Sequence, residues 1–289
     1  TAGQDGSAAN PFELADADDL QAMKAAFAAN DAYKAYSYKV VNNIDATDLG
    51  YWDGIGTQGT ANTGFKGVLD GGGYTISNLK FSAGKYRGFF NRMDNATIKD
   101  LTINVVDIEQ TDAAEHGYAA FVGNMDHSTL LNCTATGTIG TTAKPAMHTC
   151  GGFAVKVNAA GVFVNCTNHI DIVCSLTDNP KIGGIVGIVS GGSALTNCWN
   201  DGDMTITVKT CGDNGNGAGG LVGYAQTTAV TISGGGNAGT IQSTDTTAAA
   251  SSTYAIHVGT IVGFPNVALT AADGVVAQVL KLGGDFIVL

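Results

Sequence analysis

The pattern Gly219-Gly220-Leu221-Val222-Gly223 recurs along this chain, and its spacing limits the fold more than any other feature. A near copy stands at Gly183-Gly184-Ile185-Val186-Gly187. Weaker copies are Gly88-Phe89-Phe90, Ala120-Phe121-Val122-Gly123, Gly151-Gly152-Phe153-Ala154 and Thr260-Ile261-Val262-Gly263. The first apolar residues of the copies, Phe89, Phe121, Phe153, Ile185, Leu221 and Ile261, are separated by 32, 32, 32, 36 and 40 residues. A second landmark follows at Asp100, Asn132, Asn165 and Asn197, with steps of 32, 33 and 32. Two landmarks that advance together mean that a whole structural unit repeats.

Helical repeats of similar period need apolar residues at helical spacing. This region instead holds short alternating runs rich in Thr, Val and Ile, such as Ala96–Ile103, Met204–Val208 and Ala229–Ser233, bounded by Gly, Asn and Asp. Those are strand and turn signals. Repeated short strands with no helix between them predict a single-chain, right-handed parallel β-helix, the hand following from the bias of parallel crossovers. Coils of such a helix stack about 4.8 Å apart, so equivalent residues form columns. Ahead of the repeats, Asp16 reads as an N-cap and Leu20, Met23, Ala26 and Phe27 form one apolar helical face. The expected layout is an N-terminal cap over residues 1–45, with a helix at about 17–29 and a first strand near 38–44. Residues 46–289 then form the β-helix, closed by a C-terminal strand. A cap is needed because an open solenoid end exposes strand edges.

Composition narrows the function. The net charge is −11 and there are only two Arg, Arg87 and Arg92, which disfavours nucleic acid as a partner. No apolar run has the length of a membrane span, and the start at Thr1 without Met is what a removed signal segment or a trimmed chain would leave. Of the six Cys, Cys133, Cys166 and Cys198 share one repeat position and are expected to stack inside the coil. Cys150 falls 32 residues after Tyr118, itself 32 after Tyr86, which makes it a packing residue too. Cys174 and Cys211 are left as a candidate pair.

The order of Asn10-Pro11-Phe12, Ile55-Gly56-Thr57, the block Phe65–Leu79 and the repeated Gly-Gly-aliphatic-Val-Gly units resembles bacterial cell-surface proteins that carry the GLUG motif. The resemblance runs over roughly residues 10–265. It implies an adhesin-like β-helix at the cell surface or secreted, with a binding or structural role, and it brings no catalytic residues. The copies at Phe89, Phe121 and Phe153 depart from the motif by carrying Phe and lacking some Gly.

Chemistry-bearing residues are sparse. The sequence has no metalloprotease, nucleophile-elbow, Walker or EF-hand motif. Asp94, Asp126 and Asn158 are 32 apart, with Arg92 and His127 nearby, and form the candidate ligand-binding column. His169 pairs with Asp201 and Asp171 with Asp203 at the same spacing, and Glu109, Asp112 and Glu115 lead to His116. Turn capping is the competing role of such Asp and Asn residues. Tyr51-Trp52 is a candidate sugar platform, and Trp199 a packing residue. No cofactor is expected, Ca²⁺ being the one ion the acidic column could take. The expected function is a monomeric, non-catalytic surface adhesin that binds a glycan or a protein along its flank. The alternative is a polysaccharide lyase or glycoside hydrolase, or an accessory module of one.

Overall fold

The computed structural model of the protein describes residues 3–59, 63–109, 117–146, 148–176, 181–208, 217–227, 230–245, 257–265, 269–271 and 276–277. It is a parallel β-helix. One coil shows the plan. The chain runs through Val162–Val164, turns a corner at Asn165 and continues as Thr167–Leu176. It then passes along Lys181–Gly183, bends sharply and returns as Val186–Val189. Each segment pairs in parallel with its counterparts in the coils before and after, so that Ala154, Val186, Val222 and Val262 stand in one column.

The repeat motif is a set of close backbone approaches, and its three glycines serve three different ones. A Cβ on Gly183 or Gly219 would lie 2.0 or 2.1 Å from the carbonyl oxygen of Val186 or Val222, across the sharp bend. One on Gly187 would lie 2.8 Å from Val155 O, and one on Gly223 2.5 Å from Ile182 N, where two ladders of strands cross. The middle glycine faces both a backbone carbonyl of the next coil, 2.2, 2.1 or 2.1 Å from a Cβ on Gly152, Gly184 or Gly220, and a side chain. A Cβ on Gly152, Gly184 or Gly220 would come within 2.3, 2.4 or 2.4 Å of Asn168, Asn200 or Asn237.

Those three asparagines form a buried amide ladder. Asn168 Nδ2 donates to Asn200 Oδ1 and Asn200 Nδ2 to Asn237 Oδ1, both at 2.7 Å. The Nδ2 groups of Asn200 and Asn237 also donate to the carbonyls of Gly202 and Gly239 at 2.9 and 2.8 Å. Buried amides are tolerated because they are paired in this way. One coil earlier the column holds Ala135 in place of Asn, and the facing motif position is Ala120 in place of Gly. Both are fully buried. Glycine and asparagine therefore change together, because the space one leaves is the space the other fills.

The outer corner carries a second ladder. Asp100, Asn132, Asn165 and Asn197 all adopt left-handed backbone, with φ between 52° and 53°. Asn and Asp tolerate that region better than other side-chain-bearing residues. Asn132, Asn165 and Asn197 each donate Nδ2 to the residue one coil below at 2.9 Å. Immediately after each corner the chain turns inward, and Cys133, Cys166 and Cys198 stack in the interior at 1%, 0% and 0% exposure. Their thiols donate to carbonyls of the preceding coil. Burial pushes the Cys133 thiol up to about 12 and that of Cys166 upward as well. Phe121 and Phe153, the leading apolar residues of adjacent motif copies, stack with ring centroids 5.0 Å apart.

Helix α1 (Ala17–Ala29) begins where the sequence places it. Asp16 Oδ1 accepts from Asp19 N–H at 3.1 Å, and Asp19 Oδ2 accepts from Ala15 N–H at 2.8 Å, a reciprocal capping arrangement. Leu20, Met23 and Phe27 are buried and Ala26 half-buried. The first strands are Phe12–Leu14 and Ser37–Val40, parallel to one another, and the second also pairs with Val68–Asp70. Toward the C-terminus, Leu269–Ala271 and Val276–Ala277 add in parallel to Val230–Asn237. In the column of Cys150 the partner of Tyr118 is Arg87, one residue beyond the expected Tyr86.

Two single substitutions and their combination test the glycine–asparagine pairing. Gly184→Ala is expected to cost about 1–3 kcal/mol by overpacking, and Asn200→Ala about 1–3 kcal/mol by orphaning its amide neighbours. The double variant is expected to lose less than the sum in a urea-unfolding cycle. It should not recover fully, because the new methyl also approaches Gly220 O.

Candidate functional site

The predicted column begins in register. Asp94 lies opposite Asp126, and Arg92 opposite Asn124, in adjacent strands Phe90–Asp94 and Val122–Asp126. The next step slips. Asp126 pairs with Ala159, because the ladder shifts by one residue between Met125 and Asp126. Asn158 therefore stands at an irregularity instead of in the column. The coil that contains it is one residue longer, the same residue that makes the step from Asn132 to Asn165 33 instead of 32. Asn158 Nδ2 still reaches Asp126 Oδ2 at 3.5 Å.

Arg92, Asp126 and Asn158 are thus brought together, in a largely covered setting. Arg92 Nη2 forms an ion pair with Asp126 Oδ2, the two side chains being 12% and 14% exposed. Arg92 Nη1 donates to Gly59 O at 3.2 Å, which ties the ion pair to the backbone at Gly59. Asp94 is buried and accepts from Asn95 Nδ2 at 2.9 Å. His127 is exposed, with left-handed backbone at φ 43°, and its backbone N–H donates to Ala159 O. Of the two aligned carboxylates, that of Asp126 is offset by Arg92, one of the routes their spacing required, while that of Asp94 accepts from an amide. The geometry is that of a strut tied to Gly59.

A different face gathers exposed polar chemistry. The outward residues of the long strands form rows across the coils. One row is Thr102, Thr134, Thr167 and Trp199. The next begins with Asn104, Thr136 and His169. Asn104 Nδ2 donates to Thr136 Oγ1 at 3.1 Å, and His169 Nδ1 lies 3.3 Å from Asp201 Oδ2, with those two side chains 45% and 42% exposed. The His169–Asp201 contact is an ion pair whenever the imidazole is protonated. Trp199 is half-buried, and its ladder partner toward the C-terminus is Gly236, which adds no side chain beside the indole. Asp171 and Asp203 lie on the same face but act on backbone. Asp171 Oδ1 accepts from Asp203 N–H at 2.9 Å, and Asp203 Oδ1 from Thr240 N–H at 2.7 Å.

The Tyr51-Trp52 platform does not form as a pair. Trp52 is 1% exposed, donates Nε1 to Phe89 O at 3.1 Å and stacks on the Phe89 ring. Strand alternation sends one of two neighbouring residues inward. Tyr51 stays exposed and donates its hydroxyl to Asp107 Oδ2 at 2.7 Å. Glu109 accepts from Ala83 N–H at 3.0 Å, while Asp112, Glu115 and His116 lie outside the described residues, as does Cys211. Among the described residues no group of three or more His, Cys, Asp and Glu is placed to hold a metal ion, and no helix is long and apolar enough to cross a membrane.

Comparison with known proteins places this geometry. No family model matches the chain. Over 232 residues it is 30% identical to halomucin of Haloquadratum walsbyi, a match that takes in 77% of this chain but 2% of halomucin. The crystal structure of a candidate immunoglobulin A1 protease from Bacteroides ovatus superposes with a TM-score of 0.72 at 18% identity, over 96% of this chain and 79% of that one. The structural likeness establishes a shared β-helical fold. The chain spans about one-fiftieth of the length of halomucin, the much longer curated relative that it matches.

If the Arg92–Asp126 pair is a strut, Asp126→Ala strands a covered guanidinium. It is expected to cost about 3 kcal/mol or more in urea unfolding. His127→Ala, on an exposed side chain, is expected to stay within about 0.5 kcal/mol.

Proposed function

We propose that this chain is a GLUG-type repeat segment of a bacterial cell-surface or secreted protein, adhesin-like and non-catalytic, that binds a glycan along the outer face of its long strands. The observation that supports the reading is the grouping of the exposed His169 and Asp201 with the half-buried Trp199 and the flanking Thr and Asn rows on one face. An indole offers its apolar face to a sugar ring, and imidazole, carboxylate, amide and hydroxyl groups supply the fixed polar contacts that orient it. The strands repeat at about 4.8 Å, close to the length of one sugar unit, so a linear glycan can meet equivalent rows in succession. Within the Arg92 cluster, Arg92 and Asp126 are occupied with one another, which supports reading that pair as part of the fold's framework.

A glycan array, run with a reducing-sugar and unsaturated-product assay on the same polysaccharides, tests the reading. Binding without turnover is expected. His169→Ala combined with Asp201→Ala is expected to weaken that binding about tenfold, the scale of one lost charged hydrogen bond, with the unfolding midpoint unchanged. Turnover of any polysaccharide would replace this reading with the lyase or hydrolase alternative. Binding that survives the double variant would move the site elsewhere.

A further inference from the structure

Helix α1 borders two hollows of opposite charge. One has the carboxylates of Glu13 and Asp19 as its charged lining groups. The other, of about 300 Å³, is lined on the helix by Lys24 and Phe27, three residues apart and so on one flank. Lys34, from the 3-10 turn Asp31–Lys34 that follows the helix, lines it too, together with Asp53, Thr57 and Thr63. Two ammonium groups thus share one hollow in a chain of net charge −11. The loop that carries Asp53 is fixed from the coil below. Asn91, 3% exposed, donates Nδ2 to Asp53 O at 2.7 Å and to Gly56 O at 2.9 Å. Ile55 N–H donates to Phe89 O at 3.0 Å, and Asn91 N–H to Ile55 O at 2.8 Å. Gly56 has left-handed backbone at φ 80°, and a Cβ there would lie 3.3 Å from Phe27 Cε1, so glycine keeps space beside the ring.

The lysines are held more firmly than the carboxylates that pair with them. The Lys34 side chain is 14% exposed, whereas that of its partner Asp31 is 86% exposed. Lys24 is 29% exposed and pairs with Asp53, at 55%. Ion pairs to such exposed carboxylates contribute little, because water readily takes the carboxylate back. Each ammonium also lies over an aromatic ring, Lys24 Nζ 4.8 Å from the Trp52 centroid and Lys34 Nζ 5.8 Å from that of Phe27. The cations are therefore set by the fold, while their anions can be exchanged for one that a ligand brings. We propose that this hollow binds one acidic sugar residue of the hexuronate class. Lys24 and Lys34 take its carboxylate, the Thr57 and Thr63 hydroxyls meet its hydroxyl groups, and the Phe27 ring takes an apolar face. The volume is at the small end of ligand pockets and suits a single ring. The site lies apart from the outer face of the long strands and does not rest on the glycan-binding reading made for that face.

The test is titration of the ¹⁵N-labelled full chain with sodium glucuronate and sodium galacturonate, followed by NMR. Methyl glucoside serves as the neutral counterpart and inorganic phosphate as the anion without a sugar. Saturable shifts at Lys24, Lys34 and Thr57 with a uronate are expected, weakening as salt is raised. Lys34→Gln is expected to weaken that binding about tenfold, the scale of one lost charged hydrogen bond. Asp31→Asn removes an exposed competitor for Lys34 and is expected to strengthen it about two- to fivefold, with the unfolding midpoint unchanged. That variant keeps the test decisive if Lys34→Gln fails to fold, since a purely structural ion pair predicts no gain. The His169→Ala, Asp201→Ala double variant is expected to bind uronate as the parent does, which separates failure of this site from failure of the outer face. No saturable response to either uronate, an equal response to methyl glucoside or to phosphate, or no gain in Asp31→Asn would overturn the proposal.

Discussion

Successive coils of this protein touch backbone to backbone, and that contact sets the terms for every other part of the structure. Where two ladders of strands cross, the amide of Ile182 comes so near Gly223 that a single added carbon would sit 2.5 Å from it. Within a coil, at the sharp bend, a carbon added to Gly219 would sit 2.1 Å from the carbonyl oxygen of Val222. Side chains are excluded at these points by volume, whatever their polarity. A chain with this path needs glycine at these positions in each full copy of the motif, which is why the motif is visible in the sequence at all.

Polar ladders then fix how the coils stack. A hydrophobic interior is largely indifferent to sliding, whereas an amide column is satisfied in one register only. Asn168, Asn200 and Asn237 do this inside the coil and Asn132, Asn165 and Asn197 do it at the corner. A shift by one residue would bury unpaired amides, at about 1–3 kcal/mol each. On the outer face of the long strands Asp171 and Asp203 bind backbone of the next coil, while His169 and Asp201 bind each other. On that face His169, Asp201 and Trp199 can meet a ligand without loosening the stack.

The fold was largely legible because its period is written twice, once in the glycine motif and once at the corner residues. The capping helix was legible from Asp16 and the spacing of Leu20, Met23 and Phe27. Local exceptions were harder. The extra residue near Asn158 showed only as one step of 33 among steps of 32, and column arithmetic carried past it. Trp52 was misread as exposed because a two-residue strand gives too little alternation to assign its faces. The buried asparagine ladder left a signal in the 16-residue offset from Gly152 to Asn168 and from Gly184 to Asn200, but Asn is also an ordinary turn residue.

The most direct test of the account compares Gly223→Ala with Gly192→Ala by urea denaturation. An added carbon at Gly192 meets nothing within 4 Å, and that position bears only the cost of left-handed backbone at φ 67°. That cost is about 1 kcal/mol. At Gly223 the backbone is not left-handed, and the new carbon meets Ile182 N at 2.5 Å and Gly187 O at 2.7 Å. The account predicts that Gly223→Ala loses at least twice as much stability as Gly192→Ala. Equal losses, or a milder effect at Gly223, would contradict the claim that backbone contact between coils is what the repeat encodes.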